Sequence, residues 1–424
     1  MEKELKTKHG TIALPSFFPT VGWPGGRGEY DFFFKNLEYF CRKINHYHFL
    51  FNFSSFIFGF TIPPSDFNRH YENFRNKNLR DILTENTGVS PFIAKSLIIL
   101  LDVGGNRIFN KIINDNLSPI IIKSYEKYYN AYKDFIKRGN PDIFVGFDIG
   151  PSYTTKDEIS KRGIKIWNSL SLEEKYKINH ELLEISVTFK NKKDLIMVPV
   201  NASHPFVLKN SLDYLFNYHR EKIEMVGLAG IANYPLKIII QVLKIFNEYK
   251  KEKEWNVLSH GLGLGGWRNI PLLIKYEIDS CDVASPWRRA CTDAISRPYL
   301  PLFDHNLNFT NISNAFAHSE LYDDIYSKVR CNCPFCNDIP LKEIQQRCRK
   351  ADKNITGKKL HDEDFREMRI RIFFHNVFQH IALLKKLYQY KTNFGNKFMI
   401  EFLKDMPEGK TKRIFSRISK EFCL

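Results

Sequence analysis

The chain has 424 residues, 43% hydrophobic and 26% charged, with 63 Lys and Arg against 47 Asp and Glu, a formal charge of +16. This composition excludes a disordered or collagen-like chain and allows one large domain with an accessory region, or two ordinary domains. The basic excess suits a polyanion, because each Lys or Arg near a phosphate releases condensed counterions. An AT-rich coding bias towards Lys, Asn, Ile and Phe would account for part of the same excess.

The first ten residues, MEKELKTKHG, lack the apolar run of a secretory signal. The longest apolar stretch, Phe49–Ile62, is interrupted by Asn52, Ser54 and Ser55 and is too short to span a bilayer. A cytoplasmic protein with no membrane partner is expected. In that compartment the eight cysteines are read as thiols or metal ligands rather than disulfides. Cys41, Cys348 and Cys423 stand apart as ordinary thiols.

In chain order, strands are predicted at Thr11–Leu14, Phe49–Phe53, Ile143–Phe147, Leu195–Val200, Ile223–Leu228, Asn256–His260 and Ser280–Val283. Helices are predicted between several of them. Ser171–Thr188 opens on Ser-Leu-Glu-Glu, a capping signal. Tyr234–Tyr249 carries Leu236, Ile239, Ile240, Leu243 and Ile245 at helical spacing, and Ile270–Tyr276 gives a short helix. This alternation predicts a parallel α/β sheet. An open doubly wound sheet and a closed (β/α)8 TIM barrel read alike at this level. The polar or Gly-rich sequence after so many strands favours the barrel, whose sites form at that face. The barrel core is placed at residues 1–300. A zinc-binding, mainly helical region follows at 301–424, with a helix at Ala317–Val329, a long amphipathic helix at Asp362–Tyr390 and a basic tail, Lys410–Lys420. The tail reads equally as a phosphate grip or as a solvated end.

Cys331-Asn-Cys333-Pro-Phe-Cys336 places three thiols within six residues. Thiolates and imidazole suit tetrahedral zinc, and one turn can direct three sulfurs at one ion. A fourth ligand must come from elsewhere, and His361, His375 and His380 are candidates. Three Cys and one His would form a closed, structural site.

A Cys-x-Cys-x-x-Cys cluster after a βα barrel, followed by His-Asn on a helix, resembles the tRNA-guanine transglycosylase superfamily. Phe374-His375-Asn376-Val377 is similar to the family's His-Asn-Leu, which implies His375 as the fourth ligand of one zinc ion per chain. The interval from Cys336 to His375 is longer than in bacterial tRNA enzymes, and Lys342–Asp364 looks like an insertion. Further segments agree in order. His9-Gly10-Thr11, followed by Leu14-Pro15-Ser16-Phe17-Phe18-Pro19, looks like the opening strand. Asp142–Asp148 looks like the strand ending in a base-contacting Asp, and Val226-Gly227-Leu228-Ala229 like a Gly-Gly-Leu-Ala turn at the base pocket. Gly263-Leu264-Gly265 resembles a Gly-Val-Gly turn. Ile278–Arg288 resembles the segment carrying the nucleophile.

The resemblance implies base exchange: a carboxylate attacks the anomeric carbon, guanine leaves, and a 7-deazaguanine enters. It implies Asp282 as nucleophile, Asp148, Asn201, Gly227 and Leu228 around the base, and Arg288 and Arg289 on nucleic acid. The family's Asp-Ser-Gly-Gly-Phe-Gln is matched to Asn52-Phe53-Ser54-Ser55-Phe56-Ile57, so Asn52 takes its catalytic position without the ability to shuttle protons. Asn201-Ala202-Ser203 replaces Gln-Gly-Gly. Partners implied are tRNA or DNA, a 7-deazaguanine base and, for assembly, a homodimer or heterodimer. Ser285-Pro286-Trp287-Arg288-Arg289-Ala290 is closer to the family's DNA-modifying branch, so DNA stands as an alternative substrate. A non-catalytic zinc-containing binding subunit is the reading from a different class.

Overall fold

Eight strands pair in parallel and close on themselves. They are β3 (Ser16–Val21), β4 (His48–Asn52), β5 (Ile98–Asp102), β6 (Ile143–Val145), β7 (Leu195–Asn201), β8 (Met225–Ala229), β9 (Leu258–Gly261) and β10 (Ser280–Val283), with β10 returning to β3. The computed structural model describes residues 3–21, 28–58, 75–151, 158–190, 194–286, 363–406 and 410–421, with short pieces at 302–303, 309–310, 333–335 and 343. Helices follow each strand to β9, so the expected TIM barrel is the observed architecture.

Strands enclosed by helices are buried on both faces, and their side chains alternate between lumen and shell. Phe18, Leu50, Leu100, Ile143, Val145, Met197 and Met225 form the lumen cluster. Phe17, Phe49, Phe51, Ile99, Leu101, Phe144, Ile196, Val198, Val226 and Leu228 pack outward against the helices. Continued to the strand ends, the same alternation turns Asn52, Asp102 and Asp282 inward at the C-terminal mouth, where they line one cleft.

The opposite end is plugged. β1 (Glu4–Lys6) and β2 (Thr11–Ala13) form an antiparallel hairpin whose Leu5 and Ile12 join the lumen cluster with Leu14. Thr11–Leu14 is therefore not the opening barrel strand. Its outer residues are exposed on both sides of Ile12, a pattern suited to a hairpin with one wet face, whereas Ser16–Val21 is almost wholly buried. β5 was absent from the predicted strands.

Helix Leu172–Thr188 starts as expected: Ser171 Oγ accepts from Glu174 N at 3.1 Å, and Ser171 N donates to Glu174 Oε2 at 2.7 Å. Helix Leu236–Glu252 begins two residues later than Tyr234 because Pro235 takes the cap position. The long helix Glu363–Phe394 packs on β3 and between helices Gly28–Ile44 and Ile270–Lys275. Phe17 stacks on His380 with ring centroids 5.2 Å apart. The barrel shell is thus completed by a helix from beyond residue 300. Lys410–Glu421 is a helix, with Phe415 and Ile418 buried, rather than a solvated end. The helix predicted at Ala317–Val329 lies outside the described residues, as does almost all of Lys342–Asp364. Among the described residues, no helix is long and apolar enough to cross a membrane.

Candidate active site

The cleft at the mouth has a volume of about 1150 Å³ and is lined by Thr20, Asn52, Asp102, Gly104, Gly105, Asp148, Ala229, Gly230, Gly263 and Asp282, among others. Three carboxylates therefore face one space from β10, β5 and the loop after β6.

Asp282, 7% exposed, is held by three donors. Gly263 N donates to Oδ1 at 2.8 Å, and Thr20 Oγ1 donates to Oδ2 at 3.0 Å. His260 Nε2 lies 3.1 Å from Oδ1. A carboxylate only accepts, so in the neutral imidazole this nitrogen carries the proton, and Nδ1 accepts from Ser280 Oγ at 2.8 Å. The turn that delivers Gly263 N needs its glycine, which sits at φ +70° in the left-handed region.

Asp102 ends β5, directly across from Asn52 on β4. Its Oδ2 accepts from Asn52 Nδ2 at 3.0 Å and from Gly104 N at 3.2 Å. Burial pushes the Asp102 carboxyl well above the usual range. The neighbouring Asp148 and Asp282 charges push it the same way, against the Gly104 and Val103 amides. The two glycines that follow are sterically required. A Cβ on Gly104 would stand 2.2 Å from Asn52 Oδ1, and one on Gly105 would stand 2.1 Å from the Asp148 carbonyl oxygen.

Asp148 lines both this cleft and an adjoining cavity of about 250 Å³. Its Oδ1 is buried and has no hydrogen-bond partner among the described residues. Burial pushes its carboxyl up to about 7. The folded protein therefore prefers Asp148 protonated, and this group's contribution to stability is whole below about pH 4 and is lost as pH rises to about 7. The slope for one such proton is at most about 1.4 kcal/mol per pH unit. Thermal melts across this window are expected to show falling stability in the wild type and a flatter dependence in Asp148→Asn; equal slopes would contradict the assignment.

Asn201 lines the smaller cavity. Its Oδ1 accepts from Ser203 N at 3.0 Å, and its own N–H donates to Asn179 Oδ1 at 3.0 Å. Gly227 lies one layer down, in contact range of Met197 and Leu262, and the Leu228 side chain is buried in the outer shell. Ala229 and Gly230 line the cleft in their place, because β8 runs to Ala229 before the chain turns. Arg288 and Arg289 lie outside the described residues, as do Cys331 and Cys336.

Cys333 Sγ and His375 Nδ1 are 3.2 Å apart, and both residues are fully buried. Tetrahedral zinc, with Zn–S about 2.3 Å and Zn–N about 2.0 Å, separates its S and N ligands by about 3.5 Å. These two donors are therefore close to the spacing of a shared ion. Among the described residues, no group of three or more His, Cys, Asp or Glu is arranged to hold a metal; the two other predicted ligands are not in that set.

No known protein-family model matches the chain, and no curated protein matches it.

The sequence reading missed Asp102, His260 and Thr20 as site residues. For Asp102 a signal existed: Ile98-Ile99-Leu100-Leu101 runs straight into Asp102-Val103-Gly104-Gly105, an Asp-x-Gly-Gly sequence after an apolar run. Asn52 sits beside it as the hydrogen-bond donor to Asp102.

Proposed function

We propose that the chain is a base-exchange transglycosylase that replaces guanine in a polynucleotide with a 7-deazaguanine through a covalent Asp282–glycosyl intermediate. The observation that carries this reading is the convergence of three carboxylates in different environments on one cleft. Asp282 accepts three hydrogen bonds, while Asp102 and Asp148 are driven towards their protonated forms. Carboxyls whose environments push them apart are the mark of divided nucleophilic and acid–base roles.

Asp282 Oδ1 takes two donors and Oδ2 one, so Oδ2 is the attacking atom. The Oδ2–C1′ bond forms as the C1′–N9 bond breaks, and the electron pair leaves with guanine. Asp102 gives its proton to the departing base. As a carboxylate it then takes the N9 proton of the incoming base, whose nitrogen attacks C1′ and releases Asp282. Oδ1, as the ester carbonyl oxygen, keeps the Gly263 N–H and His260 Nε2–H throughout. The target nucleotide leaves its stack to enter the cleft. Bound guanine offers Asp148 the N1–H and N2–H₂ donors that its Oδ1 lacks among the described residues, so binding favours the ionised carboxylate over the protonated form, and the cavity beside it accommodates a purine-sized ring.

A structural zinc held by Cys331, Cys333, Cys336 and His375 belongs to the same reading; it would clip a loop to the long helix and takes no step in the exchange. About one zinc per chain is expected by elemental analysis of the purified protein, with loss of the metal and a lower melting temperature in His375→Ala. Metal-free protein of unchanged stability would contradict the site.

The reading is tested by incubating the protein with labelled guanine and either tRNA or duplex DNA. Label is expected to enter one polymer, and Asp282→Ala is expected to lower that rate by at least about 10³-fold. Activity surviving in Asp282→Ala would remove Asp282 as nucleophile. Tight binding of either polymer without exchange would favour the non-catalytic subunit.

A further inference from the structure

The cleft is acidic within and basic at one lip. Asp102, Asp148 and Asp282 line its floor, where the Asp282 carboxylate repels phosphate. A polyanion reaching Asp282 must therefore be held at the rim, with only base and sugar admitted. Part of that rim is the C-terminal helix Lys410–Glu421, whose Ile414, Arg417 and Ile418 line the same cleft as Asp282.

The helix is fixed in its orientation. Phe415 is fully buried and Ile418 is 3% exposed. The Phe415 ring packs against Trp267 and Phe402, at centroid distances of 5.8 and 6.0 Å. Arg413, Arg417 and Lys420 are exposed. At about 100° per residue, positions 413, 417 and 420 fall within about 60° of one another, opposite the buried side. A fourth cation lines the same cleft as Arg417: exposed Arg268, its guanidinium 5.1 Å from the centre of the Trp267 ring that also supports Phe415. A loop cation and a helix stripe are thus braced on one aromatic pair beside the catalytic mouth.

We propose that the C-terminal helix, with Arg268, is a backbone clamp that grips the phosphodiesters flanking the flipped nucleotide. This rests on the reading of the substrate as a polynucleotide. The clamp carries no sequence information, since phosphate contacts set register and orientation while base identity is read in the cleft. It makes binding steeply salt-dependent.

The test reads binding without turnover. Anisotropy of a labelled single-stranded oligonucleotide of mixed sequence is followed against salt for the full-length protein. It is compared with Arg413→Gln/Arg417→Gln/Lys420→Gln and with Lys123→Gln/Lys127→Gln/Lys137→Gln, which removes equal charge from the barrel's outer wall. The rim variant is expected to bind at least about tenfold more weakly near 0.1 M salt. Its slope of log K against log salt should fall by about two, at roughly 0.7 per lost phosphate contact. The wall variant should match the wild type. An unchanged slope in the rim variant, equal losses in both variants, no oligonucleotide binding by the wild type, or equal displacement by polyglutamate of the same charge would each overturn the clamp. Absence of base exchange in a wild type that binds with the expected slope would overturn the proposed reaction and leave the clamp standing.

Discussion

Asp102→Asn is expected to lower the rate of base exchange by about 10²- to 10⁴-fold while leaving polynucleotide binding intact. The substitution removes the carboxyl that the proposed reaction uses to give and take the N9 proton, yet it keeps the local structure. An amide at 102 can still accept from Asn52 Nδ2 and Gly104 N, and it no longer carries a carboxyl that burial and two neighbouring acids drive towards protonation. A gain in stability at neutral pH alongside the loss of rate would separate this role from a structural one. Exchange in Asp102→Asn at more than a tenth of the wild-type rate would show that the proton moves through another group.

The largest loss of stability is expected at Gly105. A methyl group there meets the Asp148 carbonyl oxygen at 2.1 Å and the Asp148 Cα-attached carbonyl carbon at 2.7 Å. These are backbone atoms, so no side-chain rotation relieves the overlap. Gly105→Ala should cost about 3 kcal/mol or more in denaturant melts. It should also displace Asp148 and so weaken binding of free guanine. By contrast, Gly150 has open space around its added Cβ, and Gly150→Ala should fold as the wild type does. Equal stability of the two variants would mean that the β5 turn does not press on the Asp148 segment.

The barrel was legible because its signal is collective. Buried runs recur with helices between them, and the capping box at Ser171 marks one helix start unambiguously. Two strands escaped, each for its own reason. Ile98–Leu101 is a continuous apolar run with no alternation, which reads equally as buried helix or buried strand. Ser16–Val21 carries Pro19 in mid-run and follows a true strand, Thr11–Ala13, that drew the assignment to itself. Without β5, the Asp-x-Gly-Gly at 102–105 had no strand to end, and Asp102 was not seen to face the cleft beside Asn52. His260 was out of reach for a different reason. Its pairing with Ser280 and Asp282 depends on the register of β9 against β10, which the sequence of neither strand contains. The offset from Gly227 and Leu228 to Ala229 and Gly230 is likewise set by how far β8 rises relative to its neighbours. The cysteine spacing is a local signal, and of the four ligands expected from it and the resemblance, the described pair Cys333 and His375 lie 3.2 Å apart.

The claim that Asp282 bonds to the sugar is tested most directly by trapping. Wild-type protein mixed with its polynucleotide and quenched under denaturing acid, with no incoming base supplied, should yield a covalent protein–polynucleotide adduct. Nuclease digestion and peptide mass analysis should place the remaining nucleotide fragment on Asp282. Free guanine should discharge the adduct, and Asp282→Asn should form none. An adduct mapped to another residue, or steady base exchange by a protein that never forms one, would contradict the nucleophilic role of Asp282.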